Sequence, residues 1–200
     1  LTAQNPDKLT YNHHFDPRNG ERGLDQLRAD AERFGLKGVK LYTAEWHGDS
    51  RGYKLDDDWT RRYLEVCREL GITNIHVHKG PTIRPLDRDA FDVADVDHVA
   101  TDFTDLNFVV EHCGLPRLED FCWIATQEPN VHAGLAVAMP FIHSRPKYFG
   151  QIMGELLYWL GEDRIQFSSD YALWTPRWLI ESFVDFQIPA ELSEYPEITM

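Results

Sequence analysis

Three ionisable residues share one kind of address, the end of a short apolar run just before a turn. His78 closes Asn74-Ile75-His76-Val77-His78 ahead of Lys79-Gly80. His112 closes Asn107-Phe108-Val109-Val110-Glu111-His112 ahead of Cys113-Gly114, and Asp170 closes Ile165-Gln166-Phe167-Ser168-Ser169-Asp170. A neutral imidazole and a carboxylate are good ligands for zinc or a similar divalent cation. Water on such an ion drops to a pKa near ~7 and becomes a nucleophile. An imidazole that stays off the metal can carry a proton. A lone histidine at a strand end is more often a structural hydrogen-bonding group, so the repeated placement carries the argument. Cys113 follows His112, which raises a Cys–His dyad. Adjacent strand residues point to opposite faces, and that disfavours Cys113 as a nucleophile.

The elements that must bring these groups together alternate along the chain. Short runs rich in Val, Ile, Leu and Phe predict strands at Leu9–His14, Gly38–Tyr42, Asn74–Val77, Asn107–Glu111, Val131–Ala136 and Ile165–Phe167. Helical periodicity predicts helices over Gly20–Phe34, Asp56–Leu70, Ala94–Phe103, Leu118–Gln127, Pro146–Leu160 and Thr175–Phe186. Gly35, Gly71 and Gly161 stop three of them, and Thr175-Pro176 reads as an N-cap followed by proline at the first helical position. Helical crossovers between short buried strands imply parallel pairing. No G-x-G-x-x-G follows a strand and no Walker motif is present, which removes the main reason for a doubly wound nucleotide-binding sheet. A (β/α) barrel is therefore the expected α/β architecture, its C-terminal strand ends converging on one mouth. A full barrel takes about 250 residues and eight strands. With 200 residues and a polar C-terminal stretch, the expectation is one domain over residues 1–200 holding about six βα units of an incomplete barrel.

Composition bounds the partners. A net charge of −13 disfavours nucleic acid and anionic membrane and names no positive partner; the small-molecule substrate is an expectation of the family resemblance given below. No apolar run reaches the ~18 residues of a membrane-spanning helix. Three cysteines, Cys67, Cys113 and Cys122, without a C-x-x-C, argue against a disulfide framework and fit a reducing cytoplasm. Around the expected mouth lie Trp46, His47, Arg84, His143, Arg145 and Trp174. Arg84 and Arg145 suit a substrate carboxylate, while Trp46 and Trp174 suit an apolar or aromatic wall. Trp123 and Trp159 sit in helical stripes and read as core. Lys40, inside Val39-Lys40-Leu41-Tyr42, avoids a burial penalty by facing inward, where it suits a structural or substrate-anion contact. His76 shares a strand face with His78 and also faces the mouth.

Five segments in order resemble the amidohydrolase-related family, which includes the aminocarboxymuconate-semialdehyde-type decarboxylases. They are Phe15-Asp16-Pro17-Arg18-Asn19-Gly20, Gly35-Leu36-Lys37-Gly38-Val39-Lys40-Leu41-Tyr42, Val77-His78-Lys79-Gly80, Val110-Glu111-His112-Cys113-Gly114 and Phe167-Ser168-Ser169-Asp170-Tyr171. The resemblance runs from about residue 5 to about residue 190. It implies a TIM barrel, (β/α)8, with one divalent metal ion, commonly zinc, manganese being the other choice. It also suggests a homodimer or larger assembly. By resemblance, His78 is the metal-binding histidine after the fifth strand and His112 the catalytic histidine after the sixth. Asp170 is then the eighth-strand aspartate that touches the metal and takes a proton. Lys40, Trp46, His76, Arg84 and Trp174 remain as substrate-binding candidates.

The family's first-strand His-x-His is not matched. The only H-x-H is His76-x-His78, on a later strand, and His13-His14 does not fit the motif. The expectation is that the first two βα units are missing and that metal binding by this stretch alone is incomplete. The leading functional reading is a metal-dependent hydrolase whose activated water attacks a small carboxylate or acyl substrate. Non-oxidative decarboxylation uses the same site, and a non-catalytic accessory barrel is the reading from another class.

Overall fold

The computed structural model describes residues 4–5, 7–80, 89 and 92–192. Six strands form one parallel sheet in sequential order: β1 (Asn12–Phe15), β2 (Gly38–Leu41), β3 (Asn74–His78), β4 (Asn107–Glu111), β5 (Val131–Gly134) and β6 (Ile165–Gln166). Helices connect them: α1 (Gly20–Phe34), α2 (Asp58–Glu69), α3 (Ala94–Asp102), α4 (Leu118–Gln127), α5 (Phe141–Ser144), α6 (Pro146–Leu160) and α7 (Pro176–Val184). A strand order that never reverses is that of a barrel wall. A doubly wound sheet has a switch point where the order turns back.

The two faces of the sheet confirm this assignment. Val39, Leu41, Ile75, Val77, Phe108, Val110, Val131 and Ala133 alternate along the strands, and all are fully buried. They pack with Leu24, Leu27, Tyr63, Val96, Val99, Phe121, Ile152 and Leu156 of the helices in one core. The intervening positions are mostly polar, Val109 and Gly134 being the exceptions. In register, His14 lies beside Lys40, Lys40 beside His76, His76 beside Val109 and Val109 beside His132. One level nearer the C-terminal ends, His78 lies beside Glu111, Glu111 beside Gly134 and Gly134 beside Gln166. The helices cover the apolar face, so the face carrying His, Lys and Glu is the inner side of the barrel wall.

Local signals explain most boundaries. Gly35 takes a left-handed conformation (φ 59°) and its N–H caps Ala31, ending α1. The Asp57 carboxylate accepts from the Lys54 N–H just before α2. Pro176 opens α7 as expected, although the Thr175 side chain makes no capping bond. The four-residue α5 is too short to leave a periodic signature. Trp123 corrects the sequence reading: it is 57% exposed, on the outer face of α4, its ring tilted 40° against the half-buried Trp159 at 4.9 Å. Its place in an apolar stripe puts it at the stripe's edge, where the ring covers its neighbour and leaves the core to Phe121 and Cys122.

Candidate active site

The strand ends place His78 and His112 in direct contact. Their rings meet edge to face with centroids 4.4 Å apart, and His112 Nε2 lies 2.9 Å from His78 Nδ1. His112 Nδ1 is 3.1 Å from the Ala136 carbonyl. A carbonyl oxygen only accepts, so Nδ1 of His112 carries the proton. Burial lowers the pKa of His112, so the ring is neutral and its Nε2 is bare. That nitrogen then accepts from His78 Nδ1–H, which leaves His78 Nε2 with its lone pair. His78 is itself neutral at pH 7, its pKa lowered to about 3 by burial and by the neighbouring His112 and Lys40. The bare Nε2 is buried and has no hydrogen-bond partner among the described residues.

Backbone geometry holds the pair. His112 and Cys113 have left-handed φ values of 66° and 53°, so the chain turns sharply out of β4 into a short 3-10 turn, His112–Gly114. Asp170 is also left-handed, at φ 54°. Such conformations cost on the order of 1–3 kcal/mol each in non-glycine residues and are concentrated at functional sites. Gly80 lets His112 sit close: a Cβ there would lie 2.7 Å from His112 Cβ and 2.8 Å from Cδ2. The Thr43 hydroxyl donates to the His78 carbonyl at 3.1 Å. Next to it, Lys79 is buried against Asp95 of α3, with Nζ 2.7 and 2.8 Å from the two carboxylate oxygens. Asp95 also accepts the Leu55 N–H at 2.9 Å. This clamp ties the His78 strand end to α3 and to the segment ahead of α2.

Beneath the histidine pair is a second ionic cluster. Glu111 Oε1 is 3.0 Å from His76 Nδ1 and 3.4 Å from Lys40 Nζ. Burial alone would raise the Glu111 pKa. The His76 hydrogen bond and the Lys40 charge outweigh it and hold the carboxyl at about 2. Burial pushes Lys40 below the usual lysine range against the pull of Glu111. Lys40 and His76 thus face inward, as their strand parity implies, and both meet Glu111. Tyr42, one inward step beyond Lys40, stacks on His78 at 5.4 Å, and burial with nearby carboxylates raises its hydroxyl pKa, keeping it neutral.

The other expected residues are more scattered. Asp170 is half-buried and close enough for its charge to act on Lys40, Tyr42 and His112. Trp46 is 44% exposed in the segment after β2, with Arg51 over its ring at 5.6 Å. That segment is pinned by Arg18, which bonds Asp16, the Glu45 carbonyl and the Ser50 hydroxyl. His47 reaches Asp16 at 3.2 Å. Trp174 is half-buried against the core. His143 stacks on Trp178 at 3.8 Å and Arg145 lies over Tyr148 at 4.3 Å, so both engage the helix layer. Arg84 lies outside the described residues. Cys113 is fully buried, burial holds its thiol well above the usual range, and Sγ lies 3.4 Å from the Gly134 carbonyl; it is no nucleophile. Glu111, Tyr42 and Asp95 escaped the sequence reading, though inward parity with Lys40 and His76 points to the first two.

A divalent cation fits this donor set in part. His78 supplies a buried nitrogen lone pair with no partner among the described residues, and the nearby carboxylate, Asp170, acts by its charge on His112 and Lys40. Among the described residues, however, no group of three or more His, Cys, Asp or Glu side chains is arranged to hold an ion. A catalytic zinc site normally uses three protein ligands.

Comparisons with known proteins agree with the fold. An uncharacterized TIM-barrel protein from Bordetella bronchiseptica superimposes with a TM-score of 0.69 at 19% identity, covering 97% of this chain and 65% of that one. The 2,6-dihydroxybenzoate decarboxylase from Rhizobium gives 0.67 at 16% identity, covering 97% and 70%. A dihydroxybenzoic acid decarboxylase from Polaromonas sp. JS666, with bound manganese and the inhibitor 2-nitroresorcinol, gives 0.64 at 16%, covering 97% and 68%. The chain thus spans about two thirds of the length of these structures, and its sheet is a TIM-barrel wall. No curated protein matches the sequence. The amidohydrolase family model matches residues 1–197, nearly end to end, and the chain belongs to that family.

Proposed function

We propose that this chain carries part of the active site of a metal-dependent enzyme acting on a small ring-bearing carboxylate, with non-oxidative decarboxylation as the reaction. The observation that carries this reading is the neutral His78–His112 pair, whose hydrogen-bond order leaves one buried nitrogen lone pair on His78 free. His78 and Asp170 would hold the ion, and the chain's other contacts do not complete its coordination. Zinc and manganese both accept a nitrogen and a carboxylate oxygen. When bound, the ion supplies Lewis-acid polarisation of the substrate's oxygens.

The chain's own residues do the rest. The Ala136 carbonyl fixes His112 in one tautomer and orientation, so that His112 positions the substrate. Asp170 takes a proton from solvent and passes it to the substrate ring. In decarboxylation the ring carbon gains that proton, its bond to the carboxylate breaks, and the bonding pair returns to the ring as carbon dioxide leaves. No oxidant or reductant is needed. The dihydroxybenzoate decarboxylases of the same fold act on such ring carboxylates, and one of them binds manganese, which supports this choice of substrate and ion. Hydrolysis is the second reading, favoured by the amidohydrolase family match: the same Asp170 would accept a proton from the attacking water. Arg84, Trp46 and Trp174 are proposed as substrate contacts, and the enzyme as a homo-oligomer.

The test is a panel assay on the intact protein reconstituted with zinc or manganese. 2,6-Dihydroxybenzoate and related hydroxylated benzoates are followed by carbon dioxide release, and acyl amides and esters by acid release. Carbon dioxide release that His112→Ala abolishes is expected. Turnover confined to amides or esters would transfer the assignment to hydrolysis.

A further inference from the structure

The ends of four consecutive strands carry a continuous row of rings. His14, in β1, meets Tyr42 edge to face with centroids 5.3 Å apart and planes at 86°. Tyr42, just past β2, lies over His78 at 5.4 Å and 29°. His78, ending β3, meets His112, following β4, at 4.4 Å and 75°. Within this row Tyr42 differs from its neighbours. It is 39% exposed although flanked on both sides. Its hydroxyl has no hydrogen-bond partner among the described residues, whereas the imidazoles of His14, His78 and His112 all engage neighbours. The Glu45 N–H donates to the Tyr42 carbonyl at 3.0 Å, fixing the backbone from which the ring projects. The Lys40 ammonium lies 5.4 Å from the ring centroid on the same inward-facing side of β2.

From this geometry we infer that Tyr42 is a substrate-contacting residue that sets specificity, its ring forming the wall beside His78 on which a planar substrate ring packs and its hydroxyl donating to a substituent of that ring. The inference rests on the ring-carboxylate reading given above. A rigid aromatic face favours flat ligands over aliphatic acyl groups of similar volume, because offset stacking adds ~0.5–1.5 kcal/mol beyond area burial. The hydroxyl adds selectivity for a ring bearing an acceptor. Among the described residues nothing competes for it, so the bond to substrate replaces only one to water.

The experiment compares intact, metal-loaded wild type with Tyr42→Leu and Tyr42→Phe, using 2,6-dihydroxybenzoate and benzoate as probes. Both steady-state turnover and equilibrium binding by calorimetry are read, with metal content and melting temperature as controls. Tyr42→Leu is expected to raise KM and Kd for both probes about 3- to 10-fold, with kcat and metal content nearly unchanged. Tyr42→Phe is expected to weaken 2,6-dihydroxybenzoate by a few-fold and leave benzoate unaffected. KM and Kd within twofold of wild type in Tyr42→Leu would overturn the assignment while leaving the reaction in place. Wild type that binds the probes without turning them over would sink the proposed reaction, and the Kd ratio would still judge Tyr42. Wild type that neither binds nor turns over either probe would overturn both.

Discussion

Breaking the Lys79–Asp95 clamp is the perturbation whose size follows most directly from the structure. The two side chains are 1% and 7% exposed, and Nζ lies 2.7 and 2.8 Å from the carboxylate oxygens. Removing one partner strands the other charge in the core, at a cost of about 3–5 kcal/mol. At roughly 2–4 °C per kcal/mol for a chain of this size, Lys79→Met or Asp95→Asn alone should lower the melting temperature by about 6–20 °C. The double variant Lys79→Met/Asp95→Asn behaves differently. It leaves no buried charge, and the asparagine carbonyl still accepts the Leu55 N–H that Asp95 accepts at 2.9 Å. Replacing a whole buried pair with uncharged groups is often close to neutral, so the double variant should recover to within about 1–2 kcal/mol of wild type. Urea and thermal unfolding followed by circular dichroism measure all four corners of the cycle. Losses that simply add, with the double variant as low as the sum of the singles within ~0.5 kcal/mol, would refute the claim that these two charges compensate each other.

Two further outcomes follow from the site. The His76 hydrogen bond and the Lys40 charge hold the folded Glu111 carboxyl at about 2 against its ordinary 4.5, so the unfolded chain takes up the proton first as pH falls. The stabilisation, roughly 3 kcal/mol, is complete above pH 4.5 and is lost as pH falls towards 2. Glu111→Gln should therefore flatten the pH dependence of unfolding in that window, and an unchanged slope would show that His76 and Lys40 do not hold the carboxylate as described. Gly80→Ala would bring a Cβ to 2.7 Å from His112 Cβ. Overpacking of this kind costs about 1–3 kcal/mol, and displacing His112 should lower kcat about 10- to 100-fold; wild-type turnover in a folded Gly80→Ala protein would argue against a tightly positioned His112.

The barrel wall was readable because two periodicities alternate. Val39 and Leu41 flanking Lys40, and Ile75 and Val77 flanking His76, mark strands with one apolar and one polar face. Strand ends were less sharp: β6 is two residues long, and Phe167, expected within it, is exposed. The placement of His78 and His112 at neighbouring strand ends was legible from the turn residues that follow them. Their direct contact was not, because it depends on the left-handed backbone at His112 and on the absent side chain of Gly80. Glu111 stayed hidden since a carboxylate in Phe108-Val109-Val110-Glu111 looks like a strand terminus. Only the cross-strand register, which sets it beside His78 and within reach of His76 and Lys40, reveals it as the centre of a buried cluster. Asp95 was invisible for a similar reason: its partner Lys79 lies on a different element, and nothing local in Ala94-Asp95-Val96 signals burial.

Metal stoichiometry is the most direct test of the central claim that His78 and Asp170 belong to a metal centre. The intact protein is purified without chelator, reconstituted with zinc or manganese and measured by elemental analysis, alongside His78→Ala and Asp170→Asn. The account predicts about one tightly held divalent ion per chain, lost or greatly weakened in both variants while their folding is retained. An intact protein that holds no divalent ion after reconstitution, or that keeps a full equivalent in both variants, would contradict it.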